Sequence, residues 1–218
     1  MGKELSEIKA CIEKDMQRFE QEYKQCFLSG ESLLDKILSY SYSQKGKHIR
    51  PIISCLVANV FGKVTEKTIR SSVIIELLHT ASLLHDDVID DSNTRRNQKT
   101  VNFIWDNKTA ILVGDYIYGK CLSMIKTQDD FNLMPVYATV GEYLPMGELG
   151  EKEMSDSLNT KINSYLEVIR QKTAVLIKAA AKIGALTCEE KEIDVENVGD
   201  FGESVGMAFQ IKDDLLDI

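Results

Sequence analysis

Apolar residues recur at helical spacing along nearly the whole chain, and no segment alternates convincingly as a strand would. The clearest stripe is Val73, Leu77, Ala81, Leu84 and Val88, stepping by threes and fours along one helix face. The spacing predicts helices over 5–27, 31–42, 51–61, 65–91, 107–126, 131–154 and 162–183. Thr187 and Glu190 have capping-box spacing, which predicts a last helix or helix pair running from there to the end. Only three prolines interrupt this pattern, and Pro51 falls in a predicted first turn. The fold class expected is all-α: an antiparallel helical bundle forming a single domain over residues 1–218. The chain stops at Ile218 inside an apolar helical run, so C-terminal helices are expected beyond it.

Composition narrows the setting. The chain has 218 residues and a net charge of −8, a poor balance for nucleic-acid binding. Its five cysteines are scattered and none forms a C-x-x-C pair, which disfavours zinc or a disulfide framework and suits a reducing, cytoplasmic compartment. The N-terminus opens into an acidic amphipathic helix without the features of a signal or transit peptide. No stretch approaches the ~18–20 apolar residues that span a bilayer.

Two aspartate clusters stand out within the apolar pattern, Asp86-Asp87-Val88-Ile89-Asp90 and Asp213-Asp214-Leu215-Leu216-Asp217. Carboxylates seldom accept apolar surroundings unless paired or metal-bound. Positions i and i+4 share a helix face, and i+1 lies about 100° round it, so each cluster is a claw for a divalent cation. Hard oxygen donors favour Mg2+, with Mn2+ as a substitute. The claws are expected to face each other across a cleft between helices.

Cations accompany them. Arg95 and Arg96 follow the first claw; Lys45, Lys47 and Arg50 surround a helix start; Lys172 and Thr173 lie in an apolar helix; Gln210 stands one turn before Asp213. Carboxylates, metal and guanidinium forks together suit a phosphorylated ligand, and a helix N-terminus adds to its attraction.

In this order the motifs resemble the trans-isoprenyl diphosphate synthases of the polyprenyl synthase family. The likeness covers roughly residues 40–218: G-K-x-x-R-P at Gly46–Pro51, D-D-x-x-D at Asp86–Asp90, the arginine pair at Arg95-Arg96, G-D-Y at Gly114–Tyr116, K-T at Lys172-Thr173 and F-Q-x-x-D-D at Phe209–Asp214. An isolated D-D-x-x-D is weak; the ordered set is specific, and the stretch His79–Asp91 with Asn102-Phe103-Ile104-Trp105 also resembles the octaprenyl-like, long-chain branch.

The resemblance implies condensation of an allylic diphosphate with isopentenyl diphosphate. It makes Asp86, Asp87, Asp90, Asp213, Asp214 and Asp217 the metal ligands. Arg95, Lys172, Thr173 and Gln210 would hold the allylic diphosphate; Lys47, Arg50, His79 and Arg96 would hold isopentenyl diphosphate. Ala81 and Ser82, small residues just below the first claw, imply a long-chain product for quinone side chains. A homodimer is implied too, with the product delivered to a membrane.

There are departures. Lys45 stands where glycine is frequent, His48 where arginine is, Asn97 where glycine is usual after the arginine pair, and Glu151 where glutamine is more frequent. His85 reads equally as packing or as a ligand contact, Trp105 and Tyr116 as packing, and Asp129-Asp130 as solvated surface. Terpene cyclases also carry D-D-x-x-D, but usually with a different second metal motif. A geranylgeranyl-type synthase and a regulatory subunit of a heteromeric synthase are the remaining alternatives; the intact aspartates and arginines weigh against the subunit.

Overall fold

The computed structural model describes residues 10–44, 46–126, 128–157, 161–188 and 194–216. Its helices are α1 (Glu13–Gln25), α2 (Ser32–Ser43), α3 (Ile49–Phe61), α4 (Glu66–Ile89), α5 (Val101–Ile104), α6 (Asn107–Ser123), α7 (Gln128–Phe131), α8 (Met134–Ser157), α9 (Ile162–Ile169), α10 (Val175–Thr187) and α11 (Val195–Leu216). A π-helical turn, Arg170–Ala174, joins α9 to α10. The all-α expectation therefore holds, with two corrections.

Between α4 and α5 lies a hairpin of two-residue strands, β1 (Thr94–Arg95) and β2 (Gln98–Lys99), where no strand was expected. Two paired residues are too few to show alternation. The hairpin turn is Arg96-Asn97, with φ of 52° and 63°, as a type I′ turn requires at both central positions. Asparagine tolerates left-handed backbone better than other non-glycine residues, which accounts for Asn97 in a glycine position. Second, Thr187 ends α10 instead of opening the last helix. Its hydroxyl back-bonds to Ile183 at 2.6 Å and meets Thr68 Oγ1 at 2.8 Å. α11 opens at Val195, where Asp194 accepts from the Asn197 N–H at 3.1 Å. Glu190 and the first part of the predicted 5–27 helix lie outside the described residues.

The chain divides into two compact units: residues 1–52 with 69–126, and 53–68 with 127–218. In the first, Val73, Leu77, Ala81 and Leu84 of the predicted stripe are at most 4% exposed. Phe19, Ile37, Leu38, Val113 and Ile117 from α1, α2 and α6 are buried in the same unit. Each such aliphatic side chain contributes about 1.5–3 kcal/mol by leaving water.

In the second unit α11 turns a glycine ridge towards α10. A Cβ at Gly202 would lie 2.8 Å from Ala181 Cβ, and one at Gly206 would lie 2.6 Å from Ala174 Cα. Glycine at these positions lets the two backbones approach more closely than any side chain would permit. Ion pairs flank the seam, Lys178 with Asp200 at 2.9 Å and Glu203 at 2.8 Å, and Lys182 with Glu196 at 2.7 Å. Asp130, expected at the surface, is 3% exposed: the short helix α7 turns it inwards beside buried Leu133. Among the described residues no helix is long and apolar enough to cross a membrane.

Candidate active site

The first aspartate cluster occupies the last turn of α4. The helix stops there because Asp91 takes a left-handed φ of 48° and closes a Schellman pair, with Ser92 N bonded to Asp87 O at 2.9 Å and Asp91 N to Val88 O at 3.3 Å. Asn102 ties the same helix end down, donating to the Asp87 and Ser92 carbonyls at 3.1 and 3.2 Å.

The three carboxylates are not equivalent. Asp87 is 3% exposed and accepts from Arg95 Nε at 2.7 Å. Burial raises its pKa, and the Arg95 pair opposes that rise only in part. Asp87 therefore anchors Arg95, while half-buried Asp86 and exposed Asp90 lie on the helix face one turn apart. His85 is a packing residue. Its Nε2 lies 3.2 Å from the Ile111 carbonyl and 3.4 Å from Asp115, over Gly114, where a Cβ would come within 2.3 Å. This gives Gly114-Asp115 its local role.

The expected isopentenyl-side residues gather in the same unit. His48 precedes α3 with φ of 51° and is 8% exposed; its Nδ1 is 2.9 Å from Glu76 Oε1. Phe19 and Tyr23 meet its ring edge-on at 5.2 Å. A histidine with a buried carboxylate partner thus fills the position where the resemblance expected arginine. Arg96 lies over Gly46, where a Cβ would approach its guanidinium to 2.6 Å, and donates to the Gln44 carbonyl at 2.7 Å.

Gly46, Glu76, His79, Asp87, Arg95 and Arg96 line a cavity of about 40 Å³, room for a few waters but not for a diphosphate unless side chains at its rim move. Burial first, then the Arg50, Arg96 and Arg95 charges, hold His79 well below the ordinary imidazole range. Its ring is therefore neutral near pH 7. Lys47 is exposed, and Arg50 lies in the first turn of α3. Of the two small residues below the claw, Ala81 is fully buried, whereas Ser82 is half-buried with its hydroxyl on the His79 carbonyl at 2.9 Å. Lys45 lies outside the described residues.

The second cluster is organised by a hydrogen-bonded chain within the other unit. Thr173 Oγ1 donates to Gln210 Oε1 at 2.7 Å, and Gln210 Nε2 donates to Asp214 Oδ1 at 2.9 Å. Tyr165 donates its hydroxyl to the second Asp214 oxygen; that bond raises the Tyr165 pKa. Asp213 is exposed, and Asp217 lies outside the described residues.

Lys172 and Thr173 are presented by the π-helical turn, a feature frequent at functional sites. The turn is gripped on two sides: a Cβ at Gly147 would lie 2.8 Å from Lys172 N, and one at Gly206 2.6 Å from Ala174 Cα. Lys172 Nζ meets Glu148 at 2.9 Å and Glu151 at 2.5 Å. Burial works against its charge, but the two carboxylates outweigh this and raise its pKa. Tyr165, Glu148 and the Gly199-Gly202-Gly206 ridge were not singled out from sequence; the glycine spacing of three and four was the one signal available.

Among the described residues no group of three or more His, Cys, Asp or Glu side chains converges as a preformed metal cage. Carboxylates offered singly or in pairs do fit Mg2+, which keeps waters and shares substrate oxygens. Asp86 and Asp90 would offer such a pair in the first unit, and Asp213 and Asp214 another in the second.

Comparison with known proteins places the chain in a family. A sequence profile described as Polyprenyl synthetase matches residues 31–218. The chain is 32% identical over 213 residues to an octaprenyl diphosphate synthase of Haemophilus influenzae, covering 98% of this chain and 65% of that protein. It is 33% identical over 206 residues to a geranylgeranyl diphosphate synthase of Sulfolobus acidocaldarius, covering 87% of this chain and 60% of that one. The crystal structure of a decaprenyl diphosphate synthase from Rhodobacter capsulatus matches with a TM-score of 0.91 at 31% identity, covering 97% of this chain and 66% of that one. The chain thus spans somewhat under two thirds of the length of these two curated relatives. Fold, motif order and sequence converge, and the chain belongs to the polyprenyl synthetase family.

Proposed function

We propose that this protein is a prenyltransferase that joins an allylic diphosphate, farnesyl diphosphate first, to successive isopentenyl diphosphates. Its product is a long-chain, all-trans polyprenyl diphosphate for quinone side chains. The observation that carries the reading is one cavity lined by Asp87, Arg95, Arg96 and a neutral His79, with Asp86 and Asp90 on the same C-terminal end of α4 as Asp87. Carboxylates next to guanidiniums at a cavity mouth suit a phosphorylated ligand bound with divalent cations.

In this reading Arg95, Lys172 and Thr173 hold the allylic diphosphate. Asp87 sets the Arg95 fork, and Gln210 orients Thr173 and Asp214. Lys47, Arg50, Arg96 and the uncharged N–H of His79 hold isopentenyl diphosphate. Asp86 and Asp90, and separately Asp213 and Asp214, would hold Mg2+ or Mn2+, which would supply positive charge against the negative charge developing on the leaving diphosphate. Ionisation breaks the allylic C–O bond, and the isopentenyl double bond supplies the electron pair for the new C–C bond. The departed diphosphate accepts the proton lost last, so no side chain is assigned as base.

Ser82, a small side chain one turn before Asp86 on the same helix face, supports growth of a long tail. The protein is assigned to the cytoplasm as a homodimer that delivers its product to a membrane. Similarity to the Sulfolobus geranylgeranyl diphosphate synthase makes a shorter product the second reading.

Farnesyl and labelled isopentenyl diphosphates with Mg2+ decide between them. Products beyond geranylgeranyl length are expected, and arrest there refutes the long-chain assignment. Asp86→Ala should lower turnover by at least about a hundredfold with the fold intact, as loss of a group stabilising transition-state charge does. Near-wild-type turnover in that variant refutes the metal assignment.

A further inference from the structure

Lys172 is a cation with two anionic partners. Its side chain is 29% exposed; Glu148, at 2.9 Å, is 15% exposed and Glu151, at 2.5 Å, is 52% exposed. Both acids stand on α8 at i and i+3, on the face that packs against the π-helical turn. The approach is fixed by backbone packing, because Gly147 lies where a Cβ would be 2.8 Å from Lys172 N and 3.1 Å from its Cα. One carboxylate neutralises one ammonium. Glu148, the more enclosed of the two, suffices for that, so Glu151 leaves the cluster with a net negative charge. An incoming diphosphate meets that charge and must compete with Glu151 for the same ammonium.

We propose that Glu151 sets the affinity for the allylic diphosphate: it holds Lys172 as a counter-anion that the diphosphate displaces, weakening binding of substrate and of released diphosphate without acting on bond cleavage. The inference rests on the reading that Lys172 binds the allylic diphosphate. It is chemically specific, because a neutral side chain of the same shape at position 151 keeps a hydrogen bond to Lys172 but removes the competing charge.

The test is Glu151→Gln in the full chain, with Glu151→Ala beside it. Removing one exposed charge partner should lower KM for farnesyl diphosphate about two- to fivefold. The value of kcat and the KM for isopentenyl diphosphate should stay unchanged. Calorimetry with inorganic diphosphate in excess Mg2+ should show Kd falling by the same factor. The gap between wild type and variant should narrow as ionic strength rises, since a partly exposed charge is screened. Circular dichroism verifies that both variants are folded. An unchanged or raised KM in Glu151→Gln overturns the proposal, as do opposite shifts in the two variants. Wild-type protein that transfers no prenyl group removes the functional reading, and the inference falls with it. Wild-type protein that turns over beside an indifferent Glu151→Gln removes the inference alone.

Discussion

Gly206→Ala links the packing of α11 to the chemistry of Asp214 in one substitution. The new Cβ would lie 2.6 Å from Ala174 Cα, whereas ordinary contacts begin at 3.4 Å, so the two backbones must part by 0.8 Å (3.4 − 2.6). Overpacking costs about 1–3 kcal/mol, and a backbone atom this close puts the cost in the upper part of that range, about 2–3, of which alanine's better helix propensity returns about 1. A net loss of about 1–2 kcal/mol is expected, which at about 2–4 °C per kcal/mol lowers Tm by about 2–8 °C.

Thr173 immediately precedes Ala174 in the same turn, and Gln210 is one helical turn beyond Gly206. A 0.8 Å displacement carried to their 2.7 Å hydrogen bond would stretch it to 3.5 Å, past useful length. Asp214 then loses the restraint that Gln210 gives it. Thermal melts read the first effect, and the Mg2+ concentration for half-maximal turnover reads the second. Gly119→Ala is the control, since a Cβ there meets nothing within 4 Å; it should gain about 0.5–1 kcal/mol. A Gly206→Ala protein that melts with or above the wild type, as the control should, would refute the close-packing argument.

Two other predictions concern hydrogen and proton bookkeeping at the site. His79 is held neutral in the folded protein, so below about pH 6.5 the unfolded chain takes up a proton that the native state refuses. Stability should fall there by up to about 1.4 kcal/mol per pH unit, and the contribution should vanish above pH 7; His79→Gln should flatten the slope in urea titrations at pH 5, 6 and 7. Identical slopes would show that His79 is not excluded from protonation. Tyr165→Phe removes the hydroxyl bound to Asp214; the half-saturating Mg2+ concentration should rise about tenfold, the scale on which outer partners of ligands act, and an unchanged Mg2+ titration would exclude Tyr165 from that role.

Most of the helices were legible because apolar periodicity reports burial directly: Val73 to Leu84 are core in the structure as in the pattern. The motif residues were legible as chemistry, yet their division of labour was not. Asp86, Asp87 and Asp90 look alike in sequence, and only the Schellman stop at Asp91, which brings the hairpin back, hands Asp87 to Arg95. The partners of Lys172 lie 21 and 24 residues away on another helix, beyond any local pattern. The Thr187 signal failed for a different reason. Its hydroxyl found Thr68 and the Ile183 carbonyl, a tertiary and a helical partner that outcompeted the capping role its spacing suggested.

The π-helical turn at Arg170–Ala174 has a consequence for how this region tolerates changes in length. One residue more or fewer in an α-helix rotates everything after it by about 100°. A π turn absorbs a surplus residue locally, so the helices on either side, α9 and α10, keep the phase they would have in a regular helix without it. A one-residue deletion anywhere in this segment would restore a regular helix and leave the bundle able to form. It would also swing Lys172 off Glu148 and part Thr173 from Gln210. Single-residue gaps placed here, in an alignment or in a design, therefore change the contacts of Lys172 and Thr173 at nearly constant fold.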